Sequence, residues 1–598
     1  MSTAQSIPAA LLALSRQLSR ARRRALAVLL PLMLAGAIAE VATLGALLPF
    51  LAVIADPHGS PVLTSMAPLL ELLGASGPGQ AIYVLTGLFG LAALVSAGLR
   101  LALLLASNSF ANGMSYELGV RLYESALHEP YVIHTQRNSS EIIAAINKVE
   151  ILTRGVLTPL MNGAVALIIA AFIIAGLMAI DHAVALAAGV GFSAIYLAAT
   201  SVTRSRLRRN SRIIADAQGR RVKAMQEGLG GIRDVLLDHS QPVFIETYER
   251  AEAGLRDGRT KNAFFAGAPR FVVEAAGMIM IAVMAVTVTG RPGGLMEAVP
   301  VLGALALGAQ RLLPLIQQIY AGWAQVMGNR QVLLDLTALL HRPAPRRGPT
   351  GAALPFANTI SLRNVSYTYR QGRTALRGIN LQIPKGARVG IAGKTGSGKS
   401  TLIDVVLGLL EPTEGEVRID GVMLTAENRS AWQQNIAHVP QAIYLADATV
   451  AENIAFGIRP EAIDRARVRH AADQAELAEV ISGLPQGYDT RIGERGIQLS
   501  GGQRQRIGIA RALYKQASVL VFDEATSALD TVTESAVMAA IERLDRNLTI
   551  LIIAHRLSTL EGCDIVVRLE GGRVKALETG VRRCQTSEAV PADNISAS

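Results

Sequence analysis

Eight consecutive residues, Gly393-Lys394-Thr395-Gly396-Ser397-Gly398-Lys399-Ser400, satisfy the spacing GxxxxGK[ST]. Glycines at these positions let successive backbone N–H groups close around phosphate oxygens. A helix that begins at about Lys399 aims its positive end at the same oxygens. The Lys399 ammonium reaches the outer phosphates, the Ser400 hydroxyl can ligate magnesium, and Thr401 continues the first helical turn. The apolar run Val389-Gly-Ile-Ala392 precedes the loop and Thr401–Leu410 follows it, which is the strand–loop–helix context that the chemistry needs. ATP and Mg2+ are therefore the expected cofactors.

A second run, Val519-Leu-Val-Phe522, reads as a buried strand that delivers two carboxylates, Asp523 and Glu524, at its end. Alone, such a pair is usually a helix cap. Beside a phosphate loop, Asp523 is placed to hold the magnesium shell and Glu524 to polarise an attacking water as general base.

These groups must be carried by something, and the composition shows what. Half of the 598 residues are hydrophobic and only 18% are charged, below the usual quarter for soluble domains. Part of the chain is thus expected in lipid. Six apolar segments, 25–55, 81–107, 155–180, 183–203, 263–290 and 298–326, each reach the roughly 20 residues that a span requires. Arg204–Lys261 holds thirteen basic residues and the N-terminal segment five arginines (Arg16, Arg20, Arg22, Arg23, Arg24), whereas Asp56–Gln80 holds none. This asymmetry puts both termini and the long connections 108–154 and 204–262 on the cytoplasmic side. The net charge of +11 then belongs to the inner membrane surface, and no nucleic-acid partner is implied. The two cysteines, Cys563 and Cys584, make no disulfide framework, which agrees with a cytoplasmic C-terminal half.

The predicted organisation is a basic amphipathic segment (1–24), a six-helix membrane domain (25–328), a linker (329–355) around the Pro-rich 342–349, an α/β P-loop cassette (356–582) and a polar tail (583–598). Gly228–Gly231 predicts a break before a short crosswise helix, Ile232–Leu237, suited to meet a soluble domain. Val62, Leu63, Met66, Leu69, Leu70 and Leu73 recur at helical spacing and predict a short outer helix near Ala67–Leu73.

With Leu499-Ser500-Gly501-Gly502-Gln503 added, the phosphate loop and the Val519–Glu524 strand resemble the ATP-binding cassette (ABC) superfamily, and the six preceding segments resemble the membrane domain of its exporters. The resemblance covers nearly the whole chain. It implies that Tyr369 stacks on adenine, that Gln441 senses magnesium and the attacking water, and that His555 contacts the γ-phosphate. It also implies that Asp530 crosses a dimer interface and that Glu494 relays to the membrane domain. Each ATP would lie between Gly393–Ser400 of one chain and Ser500–Gln503 of a second, which makes a homodimer the expected assembly.

Three arginines interrupt the apolar segments: Arg100, Arg270 and Arg311. Intramembrane charges are costly and usually functional, so all three are expected to face one cavity and to bind phosphate. Lipid-headgroup contact is the plainer reading for Arg100 and Arg270, and Arg270 has Glu274 one turn away. More narrowly, Glu40-Val-Ala-Thr-Leu-Gly-Ala-Leu-Leu-Pro-Phe50, the outer segment after Asp56-Pro57, Tyr131-Val-Ile-His134 and Asn138-Ser-Ser140 resemble the flippases of lipid-linked oligosaccharides in bacterial N-glycosylation (PglK-type). That resemblance implies an inner-membrane translocase for an anionic, polyprenyl-diphosphate-linked glycan among membrane lipids. The alternatives are an exporter of another lipid, a peptide or a drug, and a membrane protein that ATP only gates. Glu524 and His555 argue against the last.

Overall fold

The computed structural model describes residues 6–579 apart from 17, 56–65, 67, 69, 74–77, 137–138, 181, 290–293, 341–351, 371, 494–495, 524–533, 535–538, 540–546, 554–559 and 561. The chain divides into two compact units, residues 1–129 with 136–344 and residues 130–135 with 345–598.

The first unit is helical. Short α1 (Ile7–Arg16) is followed by α2 (Arg20–Ala55), α3 (Pro78–Leu127), α4 (Tyr131–Gln136), of which only Gln136 belongs to this unit, and α5 (Ser139–Leu152). A single π-turn, Thr153–Leu157, joins α5 to α6 (Thr158–Ile180). Then come α7 (His182–Gly230), α8 (Ile232–Leu237), α9 (Gln241–Thr289), α10 (Gly294–Gly328) and α11 (Arg330–Leu340). Six of these helices carry the six apolar segments. Among the described residues, three stretches are long and apolar enough to cross a membrane by length and composition: Arg20–Thr43, Gly79–Leu127 and Ser140–Gly176.

Helices α3, α7 and α9 have 50, 49 and 49 residues. At 1.5 Å per residue each is about 75 Å long, more than twice the roughly 30 Å hydrocarbon core. They therefore continue well past any lipid-facing portion, as expected for the two long connections. Close backbone approach lets the spans pack. A Cβ at Gly322 on α10 would lie 2.7 Å from the Pro159 carbonyl oxygen of α6, the small-residue contact that membrane helices favour.

The structure differs from the sequence expectation at three places. The basic N-terminal segment is two elements: α1 buries Ala10 and Leu14 in a core with Phe110, Leu118 and Leu333, and Arg20–Arg24 already belong to α2. Residues 329–355 are no linker at their start, because α11 buries Val332, Leu333 and Leu336 in the same core. And Pro130–Thr135, sequentially inside the membrane unit, counts with the second unit, where Val132 packs on the core. A short helix, α8, forms as expected after Gly231, with Ile232, Leu236 and Leu237 exposed. Near the predicted outer helix, Met66, Pro68 and Leu70–Leu72 are helical, with Leu70 buried beside Val53, Ala81 and Leu85; Val62, Leu63, Ala67 and Leu69 lie outside the described residues.

The second unit is two sheets and their helices. An antiparallel sheet has the order β2-β1-β4-β5, from β1 (Thr359–Thr368), β2 (Thr374–Pro384), β4 (Glu414–Ile419) and β5 (Val422–Met423). The larger sheet has the order β10-β9-β3-β8-β7-β6, from β3 (Arg388–Ala392), β6 (Ile436–Val439), β7 (Val519–Asp523), β8 (Thr549–Ile553), β9 (Ile565–Glu570) and β10 (Arg573–Thr579). Its four strands β3, β8, β7 and β6 are adjacent and parallel. They are almost wholly apolar, as strands covered on both faces must be. In chain order the helices are α12 (Lys399–Val406), α13 (Arg429–Gln433), α14 (Val450–Ile454), α15 (Arg465–Gln474), α16 (Ala478–Ser482) and α17 (Gly501–Tyr514). Trp432 of α13 is fully buried and donates its indole N–H to the Val406 carbonyl at 2.8 Å.

Candidate functional site: a nucleotide cradle and a charged cavity

Register brings to one edge the strands that precede the predicted hydrolytic groups. Ile391 pairs with Ile553, Asp523 with Ile553 and Val439 with Phe522. The parallel strands β3, β8, β7 and β6 therefore end along one edge. Gly393 follows β3, Glu524 follows β7, Ala554 and His555 follow β8, and Pro440 and Gln441 follow β6. Ligands of open α/β sheets bind at that carboxyl edge. Glu524, Asp530, His555 and Glu494 lie outside the described residues, so for them the sequence position is what can be stated.

The loop between β3 and α12 is built for close approach. Gly396 and Gly398 have φ of 82° and 106°, the left-handed region that glycine adopts without penalty. A Cβ at Gly398 would lie 2.7 Å from the Ala375 carbonyl oxygen. Gly398 caps α12 with no side-chain acceptor, so the first N–H groups of that helix are left for an anion. Lys399 is only 6% exposed. Its Nζ donates to the Gly393 carbonyl at 2.8 Å and the Lys394 carbonyl at 3.3 Å. A cavity of about 330 Å³ opens on this loop, lined by Gly393–Ser397 and by Arg568, Glu570 and Lys575. Ser397 Oγ is buried, and no partner is found for it among the described residues. Uncapped helix N–H groups, an orphaned hydroxyl and a buried ammonium around one cradle fit a nucleotide polyphosphate.

Tyr369, just past β1, meets Tyr367 edge to face at 4.9 Å and shares a 3.1 Å hydrogen bond with Thr401 Oγ1. Its ring is thereby anchored to the first turn of α12. Ser500 caps α17 reciprocally: its Oγ accepts from the Gln503 N–H at 3.2 Å and its own N–H donates to Gln503 Oε1 at 2.9 Å. Ser500–Gln503 thus forms a rigid helix start.

Two groups to which the sequence reading gave no chemical role stand near this edge. Asp404, on the second turn of α12, has its pKa pushed up from the ordinary 3.8 to about 6, first by burial and then by the neighbouring Asp523 carboxylate. Tyr131 has its phenol pushed up by burial and by the charges of Asp404, Tyr369 and Asp523. The segment Pro130–Thr135 counts with the second unit, where Val132 packs on the same core as Tyr369. No periodicity marks that placement, and only the packing reveals it.

The first unit holds a separate polar feature. Arg100 (α3) and Arg311 (α10) line one cavity of about 610 Å³, together with Asn162, Gln310 and Gln318. Both arginines pair with a single carboxylate, Glu40 of α2. Ser96 Oγ donates to Glu40 Oε1 at 3.0 Å. Glu40 is fully buried, while the Arg100 and Arg311 side chains are 52% and 37% exposed. The expectation of three arginines in one cavity is corrected. Arg270 does not line it, and its Nε donates instead to Glu274 Oε1 at 2.7 Å, one turn along α9. Geometry explains this: an i,i+4 acid lies within immediate reach of an arginine on the same helix. Glu40 was legible only as an unexplained acid in an apolar segment.

A parallel sheet with a phosphate cradle at its carboxyl edge, fused to long apolar helices, defines a nucleotide-driven membrane protein. Known proteins agree. The ABC transporter family model matches residues 376–527, and the ABC transporter transmembrane region matches residues 29–291. Relatives include an "ATP-dependent lipid A-core flippase" of Cupriavidus metallidurans, 32% identical over 78% of this chain and 79% of the relative. Another protein of that name, from Burkholderia pseudomallei, is 30% identical over 89% of each chain. The structure of a bacterial Atm1-family ABC exporter with ATP bound superposes with a TM-score of 0.74 at 24% identity, covering 94% of this chain and 96% of the other. The chain belongs to the ABC transporters, with the exporter arrangement of a transmembrane domain followed by its cassette, and is an ATPase-driven translocase.

Proposed function

We propose that this protein flips an anionic, lipid-linked substrate from the inner to the outer leaflet, most specifically a polyprenyl-diphosphate-linked oligosaccharide. The observation that carries the proposal is the cavity shared by Arg100 and Arg311. Two guanidinium groups offer forked donors that match phosphate oxygens. The carboxamides of Asn162, Gln310 and Gln318 supply neutral hydrogen bonds suited to sugar hydroxyls. That related chains are named as flippases of a lipid supports a lipid cargo in general, and the cavity's charge favours an anionic one.

The energy source is ATP hydrolysis. Ser400, Gln441 and Asp523 would hold Mg2+, which would supply positive charge to neutralise the phosphates. Gly393–Thr401 cradles the polyphosphate, and Tyr369 stacks on the adenine. Glu524 takes a proton from water as its oxygen attacks the γ-phosphorus, and the bond to the ADP oxygen breaks. His555 donates a hydrogen bond to the γ-phosphate. In a homodimer, Ser500–Gln503 of one protomer would close over the ATP held by the other, with Asp530 at that interface and Glu494 relaying closure. Because each chain has a full set of these residues, both sites would be competent. The dimer would sit in the bacterial inner membrane, six helices per chain, with termini and ATPase domain in the cytoplasm.

The test is reconstituted ATP-dependent flipping of a diphosphate-linked glycolipid by the parent and Arg311→Ala. Flipping by the parent and a loss of at least tenfold in the variant are expected. Movement of a neutral glycolipid at the same rate in both would remove the anionic-substrate reading and leave a general lipid exporter.

A further inference from the structure

The charged cavity contains its own anion. Glu40 is fully buried, yet it contacts both arginines and takes a further hydrogen bond from Ser96. Its two oxygens are committed: Oε1 to Arg100 and Ser96, Oε2 to Arg311. The guanidinium groups are different. Each has five N–H donors, and each side chain lines the cavity and is partly exposed. The triad as a whole carries a charge of +1; its acid borders the cavity but has no exposed surface, while its bases are partly exposed. These three residues come from three helices, α2, α3 and α10, and Glu40 lies 60 positions from Arg100 and 271 from Arg311 in the sequence.

A salt bridge placed only for stability would bury both partners or stand in water. Here the burial is one-sided. Two uncompensated arginines in an apolar helix bundle would hold an anion strongly, and would also be costly when empty. A transporter must bind its cargo and then release it. An internal carboxylate solves both problems: it neutralises half of the charge in the empty cavity, and it weakens the hold on a bound anion by Coulomb repulsion at close range.

We propose that Glu40 is a built-in counter-ion that sets the affinity of the Arg100–Arg311 pair for the anionic group of the substrate, so that release keeps pace with turnover. Glu40 is a positioning and affinity-setting residue and does not itself bind the anion. The inference rests on the reading of this cavity as the cargo site.

The experiment uses the full-length protein in nanodiscs, with farnesyl diphosphate as probe and farnesol as its uncharged control. Binding is measured for the parent, Glu40→Gln, Ser96→Ala and Arg311→Ala, and stimulated ATPase activity for the first two. Glutamine keeps the shape and one acceptor and removes the charge. Glu40→Gln is expected to bind farnesyl diphosphate about tenfold more tightly, with farnesol binding unchanged. Its KM for diphosphate-stimulated ATP hydrolysis should fall, and kcat should fall with it because release slows. Ser96→Ala, which leaves the charge in place, should shift affinity less than about threefold. Misfolding cannot produce the expected tightening. If the parent prefers the diphosphate, Arg311→Ala loses that preference and Glu40→Gln binds no tighter, the counter-ion role is overturned while the cargo site stands. If the parent binds farnesol and farnesyl diphosphate alike, the cargo-site reading falls, and the counter-ion role with it.

Discussion

Lys399 folds back onto its own loop, its ammonium donating at 2.8 Å to the carbonyl oxygen of Gly393. The cation that should meet the outer phosphates is therefore already aimed into the cradle and almost sealed from water. Loop carbonyls hold it by partial charges only. An arriving polyphosphate replaces them with full negative charge, a stronger partner for a desolvated ammonium. Lys399→Ala should weaken ATP binding by about two orders of magnitude, equivalent to roughly 3 kcal/mol. Fluorescent-nucleotide titration of the full-length protein checks this, and binding within threefold of the parent would refute the role.

Tyr369 allows ring and hydroxyl to be separated. Its OH bonds Thr401, while stacking needs only the ring. A base stacked on an aromatic ring is worth about 1–3 kcal/mol. Tyr369→Phe should leave the KM for ATP within about twofold, and Tyr369→Ala should raise it about tenfold. Equal KM values in all three proteins would relieve Tyr369 of its adenine role.

Asp404 makes cassette stability depend on pH. Its folded-state pKa is raised from 3.8 to about 6 by burial and by Asp523. The folded chain thus holds this proton more tightly than the unfolded chain. The contribution to stability is fully present below about pH 4 and is lost as pH rises through 6. Asp404→Asn removes the loss. Thermal unfolding of the variant without nucleotide should exceed the parent's at pH 7.5, and the gap should close at pH 4. A gap that widens toward acid would contradict the assigned shift.

Gly322 tests helix packing in the membrane unit. A Cβ there would approach the backbone oxygen of Pro159 to 2.7 Å, and backbone cannot swing aside as a side chain can. Gly322→Ala should cost about 1–3 kcal/mol and lower the detergent-solubilised melting temperature by several degrees. Gly98→Ala, which meets nothing within 4 Å, serves as the control and should leave it unchanged.

Cys563 is buried, and burial raises its thiol pKa to about 11, helped by Asp564. It should be inert, because the thiolate is the reactive form. In a Cys584→Ser background, iodoacetamide at pH 8 should leave the native protein unlabelled and modify it after denaturation. Rapid labelling of native protein would contradict the packing of Cys563 beneath Gly390.

Much of the cassette was legible in the sequence because its chemistry is local. Gly393–Ser400 must be a loop that closes on phosphate, since only glycines tolerate φ of 82° and 106° at positions 396 and 398. Ser500 and Gln503, three residues apart, are enough to specify a capped helix start. The apolar run 519–522 had to be a covered strand ending in carboxylates. Long apolar segments and the inward bias of arginine identify the membrane half by the same local arithmetic of length and charge.

What tertiary structure decided was which distant charges meet. Arg270 lay within one helical turn of Glu274 and took that partner, whereas Arg100 and Arg311 had no local acid and converged on Glu40 from separate helices. Likewise, nothing in Pro130–Thr135 foretold that it would pack with the second unit, nor in 330–340 that a presumed linker would be core. The physical reason is the same in each case. Local sequence specifies conformation through backbone sterics and short-range hydrogen bonds. Pairing across long separations depends on which helices pack, and that is settled only when the whole apolar surface is buried at once.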